Sequence, residues 1–246
     1  MGNKVLGVIP ARMHSTRLSQ KMLRLIGDKP LIQHVWERCR AAKKISRLIV
    51  ATDHEDIVKA VKAFKGDAML TDPSHTSGTD RVAEVAAKND CDIVINIQGD
   101  EPFISAVAID ALAAAFEQDP AIEVATLCYR ETDMRALSDP NCVKVVCDNR
   151  TFALYFSRAP IPFDREKGTG KSFLKHIGIY AFKKDFLMKF SALRPSELES
   201  REKLEQLRIL SNGGKIKVIE TEYDSCGIDT EEDLKRAEKR YQAMQK

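Results

Sequence analysis

Short apolar, β-rich runs alternate with amphipathic segments along the first half of this chain, and that alternation constrains the fold more than any other feature. The runs are Lys4 to Ile9, "RLIVAT" at 47–52, "DAML" at 67–70, "VINI" at 94–97 and "EVATLCY" at 123–129. Between them lie "PLIQHVWERCRAA" from Pro30, a segment from Asp53 to Phe64, one opening near Thr79 and one over 105–118. Apolar residues at helical spacing mark the first of these as a helix, with Pro30 at its start and Asp53 as the cap of the next. Near-continuous apolar runs suit strands covered on both faces. Strand, helix, strand order then predicts an α/β fold, a mostly parallel sheet in three layers with crossovers on both sides.

In such a sheet, ligands gather at the carboxyl ends of the strands. Three polar loops fall there: 10–21, 71–79 and 98–102. The last is the sharpest, because the apolar run stops at Gln98, Gly99, Asp100 and Glu101, and Pro102 prevents further strand pairing. Mg²⁺ takes hard oxygen ligands and needs only one or two carboxylates beside phosphate oxygens and water. Asp100 is therefore a candidate ligand, and Asp229 in "CGIDTEEDL" is its candidate distant partner. Each has a plainer reading as a helix cap, before 105–118 and at the start of the last helix. Loop 10–21 adds Arg12, Arg17 and Lys21, a donor set that suits a triphosphate. It is neither a Walker loop nor GxGxxG, since no Gly lies between Pro10 and Gly27; an ordinary basic surface loop is the alternative.

The stretch from 143 onward reads differently. "VKVVCD" and "TFALYFS" flank Asn149 and Arg150 as a hairpin, and "KHIGIYAF" follows a Gly-rich loop as a further strand. This predicts an antiparallel lobe at about 131–190, sharing in dimer formation, within a single domain over 1–246. Arg158 carries a planar guanidinium fork, whose plain reading is a structural ion pair within the lobe. His176 and Tyr180, four apart on a strand, share a face. Glu205 and Gln206 are expected in mid-helix.

Hydrophobic residues at 43% provide a core, and a net charge of +3 with basic and acidic residues interleaved argues against a nucleic-acid partner. No apolar segment approaches a membrane span, and the amino terminus lacks the ordered features of a leader. Six cysteines without a CxxC pair read as reduced thiols of a cytosolic protein rather than a zinc site.

"IPAR…STRL…K", "ATDHEDI", "HTSGTDR", "NIQGDEP", "ALYFSRAPIP", "KHIGIYAF", "LEQLRIL" and "GIDTEEDL" occur in that order across nearly the whole chain. Together they resemble the 3-deoxy-manno-octulosonate (Kdo) cytidylyltransferases. The resemblance implies a fold of the nucleotide-diphospho-sugar transferase type, a homodimer, and Mg²⁺-dependent transfer of CMP from CTP to Kdo, with pyrophosphate released and CMP-Kdo made for lipopolysaccharide. Carried over by position, Ala11, Arg12 and Lys21 would meet the triphosphate, and Asp100 and Asp229 the Mg²⁺. Ser77, Gly78 and Arg81 would lie along the nucleotide, with Gln98 between nucleotide and sugar. Arg158, His176, Tyr180, Glu205 and Gln206 would complete the sugar-acid pocket. A divalent ion held by the two aspartates is expected to acidify the attacking hydroxyl, so no histidine base is required. Where the family usually reads Pro-Gly-Lys-Pro, this chain has Ser19, Gln20, Lys21 and Met22. Transfer to a related acid sugar is the nearest alternative and a silent sugar-nucleotide binder a more distant one. A dinucleotide oxidoreductase lacks its Gly-rich turn.

Overall fold

The computed structural model describes residues 2–14, 18–166 and 170–245. Its first half runs β1 (Val5–Ala11), a single 3-10 turn at Lys21–Leu23, the short pair β2 (Leu25–Ile26) and β3 (Lys29–Pro30), α1 (Leu31–Arg40), β4 (Arg47–Thr52) and α2 (Glu55–Ala63). Then come β5 (Ala68–Leu70), α3 (Gly78–Ala87), β6 (Ile93–Asn96), α4 (Ala106–Gln118) and β7 (Val124–Glu131). The second half contains β8 (Lys144–Cys147), β9 (Ala153–Ser157), β10 (Phe173–Lys183) and α5 (Lys184–Ser191). It closes with α6 (Glu197–Glu202), α7 (Leu207–Ser211), β11 (Lys217–Thr221) and α8 (Glu231–Met244).

The central sheet has the order β11-β7-β10-β6-β1-β4-β5. β10 pairs antiparallel with both β6 and β7, while β1 pairs parallel with β4 and β6, β4 with β5, and β11 with β7. Alternation along each strand sends side chains to two separate cores. Val5 and Ile9 of β1 join Ile32, Val35 and Trp36 of α1, Ile57 of α2 and Leu112 of α4 on one face. Leu6 and Val8 join Val82 and Val85 of α3, Leu187 of α5 and Leu207 of α7 on the other. Sheet residues Ile9, Val50 and Ile95 are fully buried, each such side chain contributing about 1.5–3 kcal/mol by leaving water. A smaller cluster of Leu18, Ile26, Leu31, Phe103, Ile228 and Leu234 fastens α8 over the β2–β3 corner.

The antiparallel addition consists of β8 and β9, with β8 pairing the first residues of β10 through Leu174 and Lys175. The turn between them is wider than a two-residue hairpin. Asp148 accepts from the N–H groups of Arg150 and Phe152, both at 2.8 Å, and Thr151 takes φ 61°. The lobe expected at about 131–190 overlaps the central sheet: from Tyr180 onward β10 lies between β6 and β7, and α5 packs in the α3 layer. The six cysteines are all free thiols.

Candidate active site

The carboxyl ends of β1, β4, β5 and β6 point the same way, and the loops that leave them are tied to one another by side chains. Asp53, directly after β4, accepts from the Met13 N–H at 3.1 Å and from the Arg81 guanidinium at 3.2 Å. Arg81 also donates to the Thr71 hydroxyl and is fully buried. One carboxylate and one guanidinium thus link the loops after β1, β4 and β5. Arg81, expected along the nucleotide, stands behind these loops. Asp53, expected to cap α2, leaves that role to His54, whose Nδ1 accepts from the Asp56 N–H at 3.2 Å.

At the start of α3, Ser77 and Asp80 form a capping box: the Ser77 hydroxyl accepts from the Asp80 N–H at 3.0 Å and the Asp80 carboxylate from the Ser77 N–H at 3.1 Å. Gly78 is the first helical residue, so the helix presents free N–H character and the positive end of its dipole beside β1. Thr79, read as the helix start, donates instead to Glu205.

The loop after β6 carries the central feature. Lys21 Nζ, on a side chain only 9% exposed, donates to Asp100 at 2.8 Å and to Asp229 at 3.1 Å. The structure therefore brings together two aspartates from opposite ends of the sequence. Burial works against the Lys21 charge, but the two carboxylates outweigh it and hold its pKa above the usual lysine value. Neither aspartate caps a helix. Ser105 caps α4 and Thr230 caps α8, each accepting an N–H from the first turn. Gly99 is required by close approach, since a Cβ there would stand 2.8 Å from the Pro10 carbonyl oxygen and 3.1 Å from the Met22 sulfur. Just before Lys21, Gln20 takes φ 51°, left-handed backbone that favours glycine, at the position where the family motif carries Gly.

Glu101 explains why β6 ends on two adjacent carboxylates. Only 7% exposed, it accepts from the Tyr223 hydroxyl at 2.7 Å, from the Ser225 hydroxyl and from the Cys226 N–H at 3.2 Å. The Ile228 N–H donates to the Asp100 carbonyl at 3.0 Å. Glu101 thereby clamps the strap from β11 to α8 and sets Asp229 opposite Asp100. Burial raises its pKa, with the Ser225 and Tyr223 hydroxyls opposing. Sequence reading missed this role because all three donors lie more than a hundred residues away.

A cleft of about 870 Å³ lies between these loops and the β8–β9 side. Gln98, Arg158, His176, Tyr180, Glu205, Gln206 and Asp229 all line it. Gln98 donates to the Gly178 carbonyl at 3.0 Å, inside a bulge where the register with β7 skips Gly178 and Ile179. The excess is two residues, so alternation is preserved and the Tyr180 hydroxyl still meets His176 Nε2 at 2.9 Å. Desolvation pushes the His176 pKa down to about 3, so the ring is neutral at physiological pH. The Arg158 guanidinium donates to the carbonyls of Glu202 at 2.7 Å and Pro140 at 2.8 Å, in place of the ion pair considered from sequence. Glu205 and Gln206 stand in the turn between α6 and α7, because Lys203 ends α6 in left-handed conformation at φ 52°. Glu205 Oε1 and Gln206 Nε2, with Arg12 Nη2, are buried without a hydrogen-bond partner among the described residues. Burial also raises the Glu205 pKa against its hydroxyl donors. Ala11 is buried at the end of β1, Arg12 is half-buried beside it, and Arg17 falls outside the described residues.

A sheet of this order, with polar loops converging on one edge, is the α/β fold of nucleotidyltransferases, and the cytidylyltransferase family matches residues 6–217. A 3-deoxy-manno-octulosonate cytidylyltransferase from Solibacter usitatus is 47% identical, the match covering 99% of this chain and 96% of the relative. Another, from Geobacter sulfurreducens, is 44% identical over 94% of this chain and 97% of its own. Among solved structures, a CMP:2-keto-3-deoxy-manno-octonic acid synthetase complexed with CTP superposes with a TM-score of 0.94 at 42% identity, covering 98% of this chain and 99% of that one. The 4-diphosphocytidyl-2C-methyl-D-erythritol synthase of Anaerococcus prevotii shares the fold, with a TM-score of 0.66 at 17% identity over 98% of this chain and all of that one. The chain belongs to the 3-deoxy-manno-octulosonate cytidylyltransferase family, whose members are nucleotidyltransferase enzymes.

Proposed function

We propose that this enzyme transfers CMP from CTP to Kdo, giving CMP-Kdo and pyrophosphate for lipopolysaccharide assembly in the cytoplasm. The observation that carries the reading is the meeting of Asp100 and Asp229 on Lys21, with Asp229 lining the same cleft as Arg158 and His176. In the reaction the anomeric hydroxyl oxygen bonds to the α-phosphorus of CTP, and the bond to the bridging oxygen of the β-phosphate breaks. Pyrophosphate leaves with the electron pair and the hydroxyl proton passes to solvent.

Such a transfer asks a protein for alignment and charge stabilisation more than for covalent work. Lys21 and Arg12 would neutralise charge on the leaving pyrophosphate. The Ser77–Gly78 start of α3 offers backbone donors to the nucleotide, and Arg81 steadies that loop from behind. Arg158 takes the sugar-acid carboxylate, with Gln98, His176, Tyr180, Glu205 and Gln206 around its hydroxyls. A neutral imidazole with so low a pKa is a weak base and serves as a hydrogen-bonding group.

Asp100 and Asp229 suit Mg²⁺, because two converging carboxylates are hard oxygen donors of the number that ion takes beside phosphate and water, and the Lys21 ammonium that they share in this structure would give way to it. When bound, the ion would withdraw charge from the reacting phosphate and lower the pKa of the attacking hydroxyl. Homodimer formation through the lobe is supported by β9, which among the described strands pairs only β8 and carries Leu154 at 63% exposure, and by Phe163 at 85%. The decisive experiment measures pyrophosphate release with CTP, Kdo and Mg²⁺, omitting each in turn. Release without Kdo, or equal turnover with a sialic acid, would sink the reading.

A further inference from the structure

Lys144, the first residue of β8, is fully buried, and nothing in the chemistry above makes use of it. Burying an ammonium is unfavourable unless its donors are met, and it has three. Here Nζ donates to three main-chain carbonyls: Asp139 at 3.0 Å, Cys142 at 2.6 Å and Arg158 at 2.5 Å. Among the described residues no carboxylate bonds to it. The acid groups that act on its charge are otherwise engaged, Glu202 with the Ser157 hydroxyl at 2.6 Å and the Arg158 N–H at 3.0 Å, and Asp139 with the Asn141 N–H at 2.8 Å.

An apolar residue would spare the desolvation of an ammonium but leave these carbonyls unmet, so the charge at this place is weak evidence for a role in stability alone. What distinguishes the site is which carbonyls it gathers. Asp139, Cys142 and Arg158 all line the substrate cleft, and they come from two separate segments. The Arg158 guanidinium closes the arrangement from the other direction by donating to Pro140, within the same loop, and to Glu202. We propose that Lys144 is a positioning residue for the carboxylate-binding end of the cleft: its ammonium fixes the main chain at 139–142 and at 158, and so aims the Arg158 fork at the substrate. Being fully enclosed, Lys144 acts through Arg158 and touches no substrate itself. The inference rests on the reading that Arg158 grips the sugar acid.

The test is a kinetic cycle of Lys144→Met, Arg158→Ala and the double variant, with KM measured separately for Kdo and CTP. Loss of a charge-assisted contact should raise the Kdo KM of Arg158→Ala about thirtyfold. Lys144→Met should raise it about tenfold, with the CTP KM within about twofold, and the double variant should match Arg158→Ala alone. A wild-type Kdo KM in Lys144→Met, a parallel rise in both KM values, or additive effects in the double variant would each overturn the proposal. An Arg158→Ala enzyme with unchanged Kdo KM overturns the Arg158 reading as well, which separates the two failures. Lys144→Gln, which retains donors, serves as the second variant and should fall between. If neither Lys144 variant folds, the ammonium serves stability alone and the proposal is lost.

Discussion

On the core side of the cleft, loops are held by carboxylates that accept: Asp53 takes Met13 and Arg81, and Glu101 takes Tyr223, Ser225 and Cys226. On the lobe side the distinctive ties are cations that donate to main-chain carbonyls: Lys144 gives to Asp139, Cys142 and Arg158, and Arg158 gives to Pro140 and Glu202, while the Glu202 carboxylate takes the Ser157 hydroxyl and the Arg158 N–H. The difference follows from which backbone groups each side leaves unpaired. The core loops turn donors inward, the Met13 and Cys226 N–H groups among them, and a carboxylate with two oxygens can gather several at one point. The lobe wall is made from a strand end, an irregular loop and the carboxyl end of α6, where carbonyls lack partners. The chain thus has one wall braced mainly by carboxylates that accept and another braced mainly by cations that donate.

Removing an acid from the first wall is the strongest way to break this contrast. Asp229→Ala should lower kcat about a thousandfold, the upper range for losing one preorganised electrostatic group, with thermal stability nearly unchanged. Steady-state pyrophosphate release checks it, and retained turnover would contradict the shared role of the two aspartates. Gly99→Ala forces the loop bearing Asp100 away from Pro10. A displacement near 1 Å should cost about a hundredfold in kcat, visible in the same assay, with CTP still bound in calorimetry.

The lobe side is expected to be more forgiving. His176→Gln should leave kcat within about a hundredfold, the lower range of general-base effects. Its clearer signature is in stability. The folded-state pKa of His176 lies near 3, below the unfolded value of about 6.5, so between these limits the unfolded chain binds the extra proton. Wild-type stability therefore falls as pH drops through this window, and urea titrations of His176→Gln should lack that one-proton slope. Smallest of all, Gln20→Gly relieves left-handed backbone at φ 51° and should raise unfolding free energy by up to about 1 kcal/mol, read from the urea midpoint.

The layer order and the three strand-end loops were legible in the sequence because apolar runs and their sharp polar endings are local signals. The convergence of Asp100 with Asp229 was also anticipated, from motif order. Local rivalry between neighbours was not legible: His54 rather than Asp53 caps α2, and Ser77 rather than Thr79 sits before α3, because either side chain of each pair could accept the N–H. The break at Lys203, which takes Glu205 and Gln206 out of a helix, was hidden since a left-handed lysine leaves no Gly or Pro to mark it. Glu101 and Lys144 escaped notice for a further reason. Buried charges announce themselves only through partners, and theirs are distant or main-chain.

The clamp on the strap before α8 has a consequence for the protein's birth. Lys21 emerges 208 positions ahead of Asp229, which at about 5–20 residues per second means a wait of roughly 10–40 s during translation. Throughout that interval the nascent polypeptide lacks the second aspartate, while the loops at 71–79 and 98–102 are added as it lengthens. Lys21 thus stays without one of its two carboxylate partners until the strap before α8 has been made.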